Sequence, residues 1–341
     1  MSFSLNIFIL SCLFFIVSAK NHTANYEKEC EEYDRYLKEF QKKYSVDEKN
    51  RRLKYFMRAQ RKIDLWNGEA MNVGGKAKFG HNNFSDWSPK ELRALMANQK
   101  WTTNQAEDDL VSLRLVQLLP SNMTYSANDS TIFIDWRQKG MVTAVKNQGG
   151  CSCCYAFAAV GAVESALAIA GQPLRNLSVQ EMLNCVGGGC RGGAPYNVYK
   201  FIQQNGIVLD TKIAYTGKRQ TCTIKRSNIT ISQAPALRGE AALEGFLNAT
   251  GPVSVCFKAP WSFIKYRTGV YAPNPTECNK TKTAHCVLAV GHGVDGGVPY
   301  WILKNSWGLR WGEDGYARFI KGQNACGIEN RSANGPIVNS N

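Results

Sequence analysis

An α+β chain of two lobes behind a helical front segment is predicted from three observations. Of the 12 cysteines in the 341 residues, all but Cys12 and Cys30 lie beyond Ile134, so the chain changes character there. Before that point apolar residues recur with helical spacing. After it, helix-like segments come first and strand-like segments follow, which implies a helical lobe, a barrel-like β lobe and a cleft between them.

The chain opens with MSFSLNIFILSCLFFIVSAK. Its apolar run is short and ends in the small residues Val17, Ser18 and Ala19, so residues 1–19 read as a signal peptide cut after Ala19. Residues 20–129 are then expected as one unit and residues 130–341 as another. Within the first, Glu48, Arg52, Phe56, Ile63 and Asn67 fall at steps of four and seven, one face of a helix. The following GHNNFSD places Gly80, Asn82, Phe84 and Asp86 in alternation, as on a strand. From about Met96 to Asp129 the sequence is polar and weakly patterned, an exposed linker open to proteolysis.

In the second unit, CCYAFAAVGAVESALAIAG predicts an alanine-rich helix stopped by Gly171. SVQEMLNC carries a capping box, Ser178 with Glu181, and APYNVYKFIQQNG starts a helix at Pro195 and stops it at Gly206. PVSVCFKA, HCVLAVG, PYWILKN and GYARFI read as strands separated by Gly, Pro and Asn turns.

Twelve cysteines in an exported chain indicate an oxidising compartment. Asn-x-Ser/Thr sequons at Asn176, Asn228, Asn248 and Asn279 agree with export and glycosylation. The formal net charge is +14, with most of the basic excess in residues 130–341. Such a surface suits acidic or polyanionic partners, or simply a soluble basic enzyme. No Lys/Arg block or aromatic-basic stripe supports nucleic-acid binding. No later segment is apolar enough to span a membrane.

The chemistry is carried by two segments, KNQGGCSCCYAF (Lys146 to Phe157) and AHCVLAVGHG with YWILKNSWG (Ala284 to Gly308). A thiol attacks a carbonyl only as thiolate, and its pKa falls at a helix N-terminus or beside an imidazolium. Cys154 is placed for both. His285 is the proton carrier, Asn305 its orienting partner and Trp307 a shield for that bond. Gln148, with the backbone N–H of Cys154, supplies an oxyanion hole. Taken together these residues predict a cysteine peptidase.

On these motifs the chain resembles the papain family, specifically cathepsin L-like peptidases, over nearly everything after the signal peptide. The Glu48 to Asn67 face is similar to the family's helical propeptide signature, with Ala59 where that pattern has Asn. Gly80, Asn82, Phe84 and Asp86 match its second propeptide motif. The resemblance implies a papain-like fold, an inhibitory propeptide running through the cleft in reverse, and a mature boundary near Ser130. It implies bridges Cys151–Cys190, Cys185–Cys222 and Cys278–Cys326, which leaves Cys153, Cys256 and Cys286 unpaired besides Cys154. It places Ala194, Pro195, Cys256 and Cys286 on the wall of the pocket for the residue two before the scissile bond, with Arg331 at its floor. A guanidinium there predicts tolerance of Asp or Glu at that position. Gly192 and Gly193 are placed to let a substrate backbone approach closely. No insertion between Cys185 and Cys190 resembles an occluding loop, so endopeptidase action is expected.

Around the nucleophile the family order is Cys-Gly-Ser-Cys-Trp, whereas this chain has Cys151, Ser152, Cys153, Cys154 and Tyr155. Ser152 is expected to narrow the first subsite or to need strained backbone. Cys153 beside Cys154 raises a vicinal disulfide, which helical geometry disfavours. The expected protein is a monomeric, secreted or lysosomal zymogen acting on proteins and peptides, with no metal or organic cofactor. Cystatin-type inhibitors are implied as partners. The competing reading is an impaired papain-fold protein serving as a secreted binding or decoy molecule.

Overall fold

The computed structural model describes residues 26–72, 76–96, 131–224 and 226–338. The expected signal peptide, the linker beyond Met96 and the boundary at Ser130 lie outside them. No helix among the described residues is long and apolar enough to cross a membrane.

Helix α1 (residues 26–39) and helix α2 (Val46–Asn72) pack through Tyr33, Tyr36, Phe40, Leu53 and Phe56, a small core of their own. The predicted helical face is present, and its polar members make specific bonds. Asn67 exchanges two hydrogen bonds with the backbone of Phe79, while the Arg52 guanidinium reaches Glu91 at 2.8 Å and the Asp86 carbonyl at 3.0 Å. Strand β1 (Lys78–Phe79) is only two residues long. The strand expected across residues 80–86 is instead a turn, because side chains there compete for the backbone. The Asn82 side chain accepts from Phe84 N, and Ser85 Oγ accepts from Asn82 N. Helix α3 (Pro89–Ala94) follows, opened by a complete capping box between Ser88 and Glu91.

The body begins with β2 (Thr131–Asp135). Helix α4 (Cys154–Ile169) is buried along nearly its whole length, which its alanines permit by keeping it thin. At Gly161 a Cβ would meet Leu288 at 3.2 Å, so glycine allows the close approach of the sheet. Helix α5 (Val179–Cys185) keeps half of its predicted box: Ser178 accepts from Glu181 N, but the Glu181 carboxylate turns to Val208 N at 2.9 Å. Helix α6 (Pro195–Asn205) has the predicted bounds, and Gly206 ends it at φ +77°. Helix α7 (Glu240–Ala249) then leads into the sheet.

The sheet contains β3 (Ala236–Leu237), β4 (Val253–Lys258), β6 (Val270–Tyr271), β7 (Ala284–Asp295), β8 (Val298–Lys304), β9 (Tyr316–Ile320) and β10 (Ser332–Asn334). Their order is β3-β10-β4-β7-β8-β9-β6, with β2 added along β7. The expected barrel-like closure is absent among the described residues: the order runs open from β3 to β6. All described pairings are antiparallel except β6 with β9. Between β4 and β6 lie the short helix α8 (Trp261–Ile264) and β5 (Tyr266–Thr268), and β5 pairs with β1 of the front segment. Helix α4 lies against β7, which places the start of the helix beside the start of the strand.

Candidate active site

Cys154 opens α4 and is fully buried, as are Gln148 and His285; Asn305 and Trp307 are buried with them. Cys153 is the residue that enters the helix, at φ −108° and ψ 25°. His285 is the second residue of β7, and the N–H of its neighbour Cys286 donates to Cys154 Sγ at 3.4 Å. This contact fixes the thiol beside the strand that carries the imidazole.

The hydrogen bonds settle the tautomer of His285. Asn305 Oδ1 accepts from the backbone N–H of Ser306 at 2.8 Å, and the same oxygen lies 2.7 Å from His285 Nε2. A backbone N–H only donates, so the atom it meets is the amide oxygen and His285 Nε2 must carry the proton. Nδ1 is therefore a bare lone pair, buried and without a hydrogen-bond partner among the described residues. Trp307 stacks on the imidazole at 4.4 Å and 28°, so water is kept from this pair. Burial pushes the His285 pKa down to about 4 against a smaller opposing effect of Asn305, so the covered site holds a neutral imidazole.

Gln148 Oε1 accepts from Ser306 Oγ at 2.6 Å, which aims its NH2 into the cleft. That NH2 donates to Cys151 O at 2.8 Å and, from the front segment, to Leu95 O at 3.0 Å. Leu95 and Met96 are completely buried, and the segment after α3 is bonded to Gln148 and Ser152.

Each departure around the nucleophile is accommodated. Ser152 does not adopt the left-handed backbone region, so the expected strain is absent. Cys153 and Cys154 are both thiols, and no vicinal bridge joins them. Tyr215 OH donates to Gln148 O at 2.7 Å, which leaves the Cys153 thiol, 3.1 Å away, to donate to the phenol oxygen. Burial pushes the Cys153 pKa up to about 12, so this thiol stays protonated. Tyr155 donates to Val186 O at 3.2 Å. A Cβ on Gly193 would meet its ring at 2.7 Å, and Gly192 holds φ +104°, so both positions require glycine.

The three bridges Cys151–Cys190, Cys185–Cys222 and Cys278–Cys326 are present. A fourth corrects the expectation that Cys256 and Cys286 are unpaired: they are joined, facing each other in register on β4 and β7. Both lie on segments that read as strands, and that pattern was the signal available for their pairing. Ser332 pairs with Cys256 on the other side, so Arg331 comes next to the bridge. Arg331 folds over Gly327, whose φ of +81° and lack of a Cβ make room for its stem. Ala194 and Pro195 begin α6, as the N-cap and first residue. The positioning roles of Ser306 and Tyr215 had no signal in sequence, since each acts only through folded contacts.

The Cys154 thiol, a lone-pair imidazole and the side-chain amides of Asn305 and Gln148 thus come together, with Leu95 of the front segment bonded to Gln148. A model of the papain family cysteine protease matches residues 131–335, and one of the cathepsin propeptide inhibitor domain (I29) matches residues 33–92. The chain belongs to the papain family of cysteine proteases. It is similar to pro-cathepsin H of Bos taurus, 35% identical over 314 residues covering 87% of each chain. Cysteine proteinase 3 of Solanum lycopersicum is 36% identical over 322 residues, covering 90% of this chain and 84% of the relative. Among solved structures, digestive procathepsin L2 from Tenebrio molitor larval midgut aligns with a TM-score of 0.75 at 30% identity, over 91% of this chain and 100% of that one. The recombinant stem bromelain precursor aligns at 0.76 and 29% identity, over 92% and 100%. The chain is a cysteine protease zymogen, and residues 33–92 belong to its inhibitory propeptide. Its relatives include both cathepsin H and cathepsin L precursors.

Proposed function

We propose that this papain-family zymogen matures into an endopeptidase with Cys154 as nucleophile, His285 as proton carrier, Asn305 as its orienting partner and Gln148 as oxyanion donor. The observation that carries this reading is the bare Nδ1 of His285 on the strand whose next N–H holds Cys154 Sγ. Once the propeptide leaves, water re-enters and the imidazole regains basicity, so Nδ1 takes the thiol proton. The thiolate attacks the substrate carbonyl and the oxyanion that forms takes a hydrogen bond from the Gln148 NH2. His285 returns its proton to the leaving amine, the C–N bond breaks, and a thioester remains on Cys154. Water, deprotonated by His285, hydrolyses that thioester and restores the thiol.

For the second subsite, the closeness of Arg331 to the Cys256–Cys286 bridge supports a cationic pocket side and tolerance of Asp or Glu two before the scissile bond. Gly192 and Gly193 give a backbone-accessible edge for an extended substrate. Export through the secretory pathway, to the lysosome or the exterior, is supported by the amino-terminal apolar run, four bridges and exposed sequons at Asn176, Asn228, Asn248 and Asn279. Maturation near Ser130, a monomeric state and sensitivity to cystatin-type inhibitors complete the proposal.

The test is titration of the matured protein with an epoxysuccinyl thiol-protease inhibitor, with mass spectrometry of the peptide holding Cys151 to Cys154. One equivalent bound at Cys154 is expected, and no labelling with or without reductant would sink the reading. A peptide library cleaved only after Leu, Val or Phe at the second subsite would remove the role given to Arg331.

A further inference from the structure

The carbonyls at the end of α3 meet the side chains of Gln148 and Ser152. A helix leaves its last carbonyls without intrahelical partners, and buried ones must be satisfied elsewhere. Leu95 and Met96 donate their own N–H groups back to Leu92 O and Arg93 O, which closes the helix. The carbonyls of residues 94, 95 and 96 then point away from it. Gln148 takes the middle one, at 3.0 Å. Ser152 Oγ lies 3.0 Å from both Ala94 O and Met96 O. Ser152 is itself only 7% exposed, and its backbone N–H is anchored on Cys190 O at 3.3 Å, beside the Cys151–Cys190 bridge.

We propose that Ser152 is a carbonyl-binding residue of the cleft, which with Gln148 caps the end of α3 and so sets how tightly the propeptide holds the thiol. The hydroxyl has one proton and two carbonyl acceptors, so it shares a single bond between them. A glycine in this place, as in the family motif, offers no donor, and the propeptide would then leave two buried carbonyls without this partner. After maturation the same hydroxyl is presented to the main chain of a substrate, next to the carbonyl on Gln148. This extension rests on the peptidase reading above.

The first measurement does not depend on catalysis. In full-length chains carrying Cys154→Ala, hydrogen exchange of the peptide spanning residues 89–96 reports opening of the segment. A net hydrogen bond of ordinary strength predicts exchange about 3–10-fold faster in Ser152→Ala, and equally faster in Ser152→Gly. Unchanged exchange in Ser152→Ala overturns the proposal, including the case in which Ser152→Gly alone differs, since that effect would come from the backbone and not from the hydroxyl. Failure of the peptidase reading would show separately, as absence of inhibitor labelling at Cys154 in the matured wild-type chain. For the substrate step, matured Ser152→Ala is expected to raise KM about 3–10-fold with kcat within about twofold, and an unchanged KM overturns that extension.

Discussion

Two buried polar settings in this molecule are built on opposite terms. The pair of His285 with Asn305 at the candidate site is a neutral hydrogen bond packed beneath Trp307, with Phe257 and Phe263 near the ring. The propeptide turn is ionic: Asp86 is fully buried, held by Lys42 and by Tyr36 OH at 3.2 Å, and Lys265 of the body reaches Ser85 Oγ at 3.1 Å. Beside that turn an open pocket of 320 Å³ is lined by Trp66 and Trp87 of the front segment and Trp261 of the body, among others. The first setting is neutral and so is little affected by salt, although the depressed His285 pKa of about 4 means it too loses stability as pH falls from 6.5 toward 4. The second couples charge and imperfect packing to the strength of docking, so it is the seam that can part.

The largest expected effect tests the permanent setting. Cys154→Ala should lower peptide hydrolysis by about 10⁴-fold or more and leave the purified precursor uncleaved, as seen by gel and fluorogenic assay. Residual activity near wild type would move the nucleophile elsewhere.

Gln148→Ala joins the two regions, because its amide serves both the cleft and the propeptide. A loss of about 10²–10³ in kcat is expected from removal of an oxyanion donor, together with faster opening of residues 89–96. If hydrolysis were hardly altered while opening increased, Gln148 would be a propeptide contact only.

The Cys256–Cys286 bridge stiffens the catalytic side. By the chain-entropy estimate for its 30-residue loop, Cys256→Val with Cys286→Ala should cost about 3–4 kcal/mol in urea unfolding of the matured protein. Equal stability of the two proteins would show that the strands hold register without the bond.

The smallest effect concerns acid and the propeptide. His81 stacks on Phe56 at 4.2 Å and contacts Gln60 at 2.6 Å; burial first, and Lys265 second, hold its pKa down to about 4. Between that value and 6.5 the unfolded propeptide binds a proton that the folded one refuses. The stabilisation is whole above pH 6.5 and is lost as pH falls toward 4, on the order of 2–3 kcal/mol. His81→Phe should therefore flatten the pH dependence of hydrogen exchange in residues 76–86 over that range. An equally steep profile in the variant would assign the acid response to other groups.

Much of this was legible before folding. Pro195 and Gly206 bound α6 because each acts on its own backbone, and the order of Gln148, Cys154, His285 and Asn305 pointed to a candidate site because nucleophilic catalysis needs those groups together. Residues 80–86 misled: their alternation resembles a strand, but Asn82 and Ser85 bind nearby backbone and fold the segment into a turn. Cys256 and Cys286 misled in another way. Strand patterns were visible, but register was not, and only register decides which cysteines face each other.

The sequence by itself determined the family, the zymogen organisation and most helix and strand identities, residues 80–86 excepted, since these follow from residue type and local spacing. The tertiary structure alone decided the fourth bridge, the tautomer of His285 and the capping of α3 by Ser152 and Gln148. Each of these joins groups far apart in the chain, and a hydrogen bond or disulfide forms only where packing brings its two partners within about 3–4 Å.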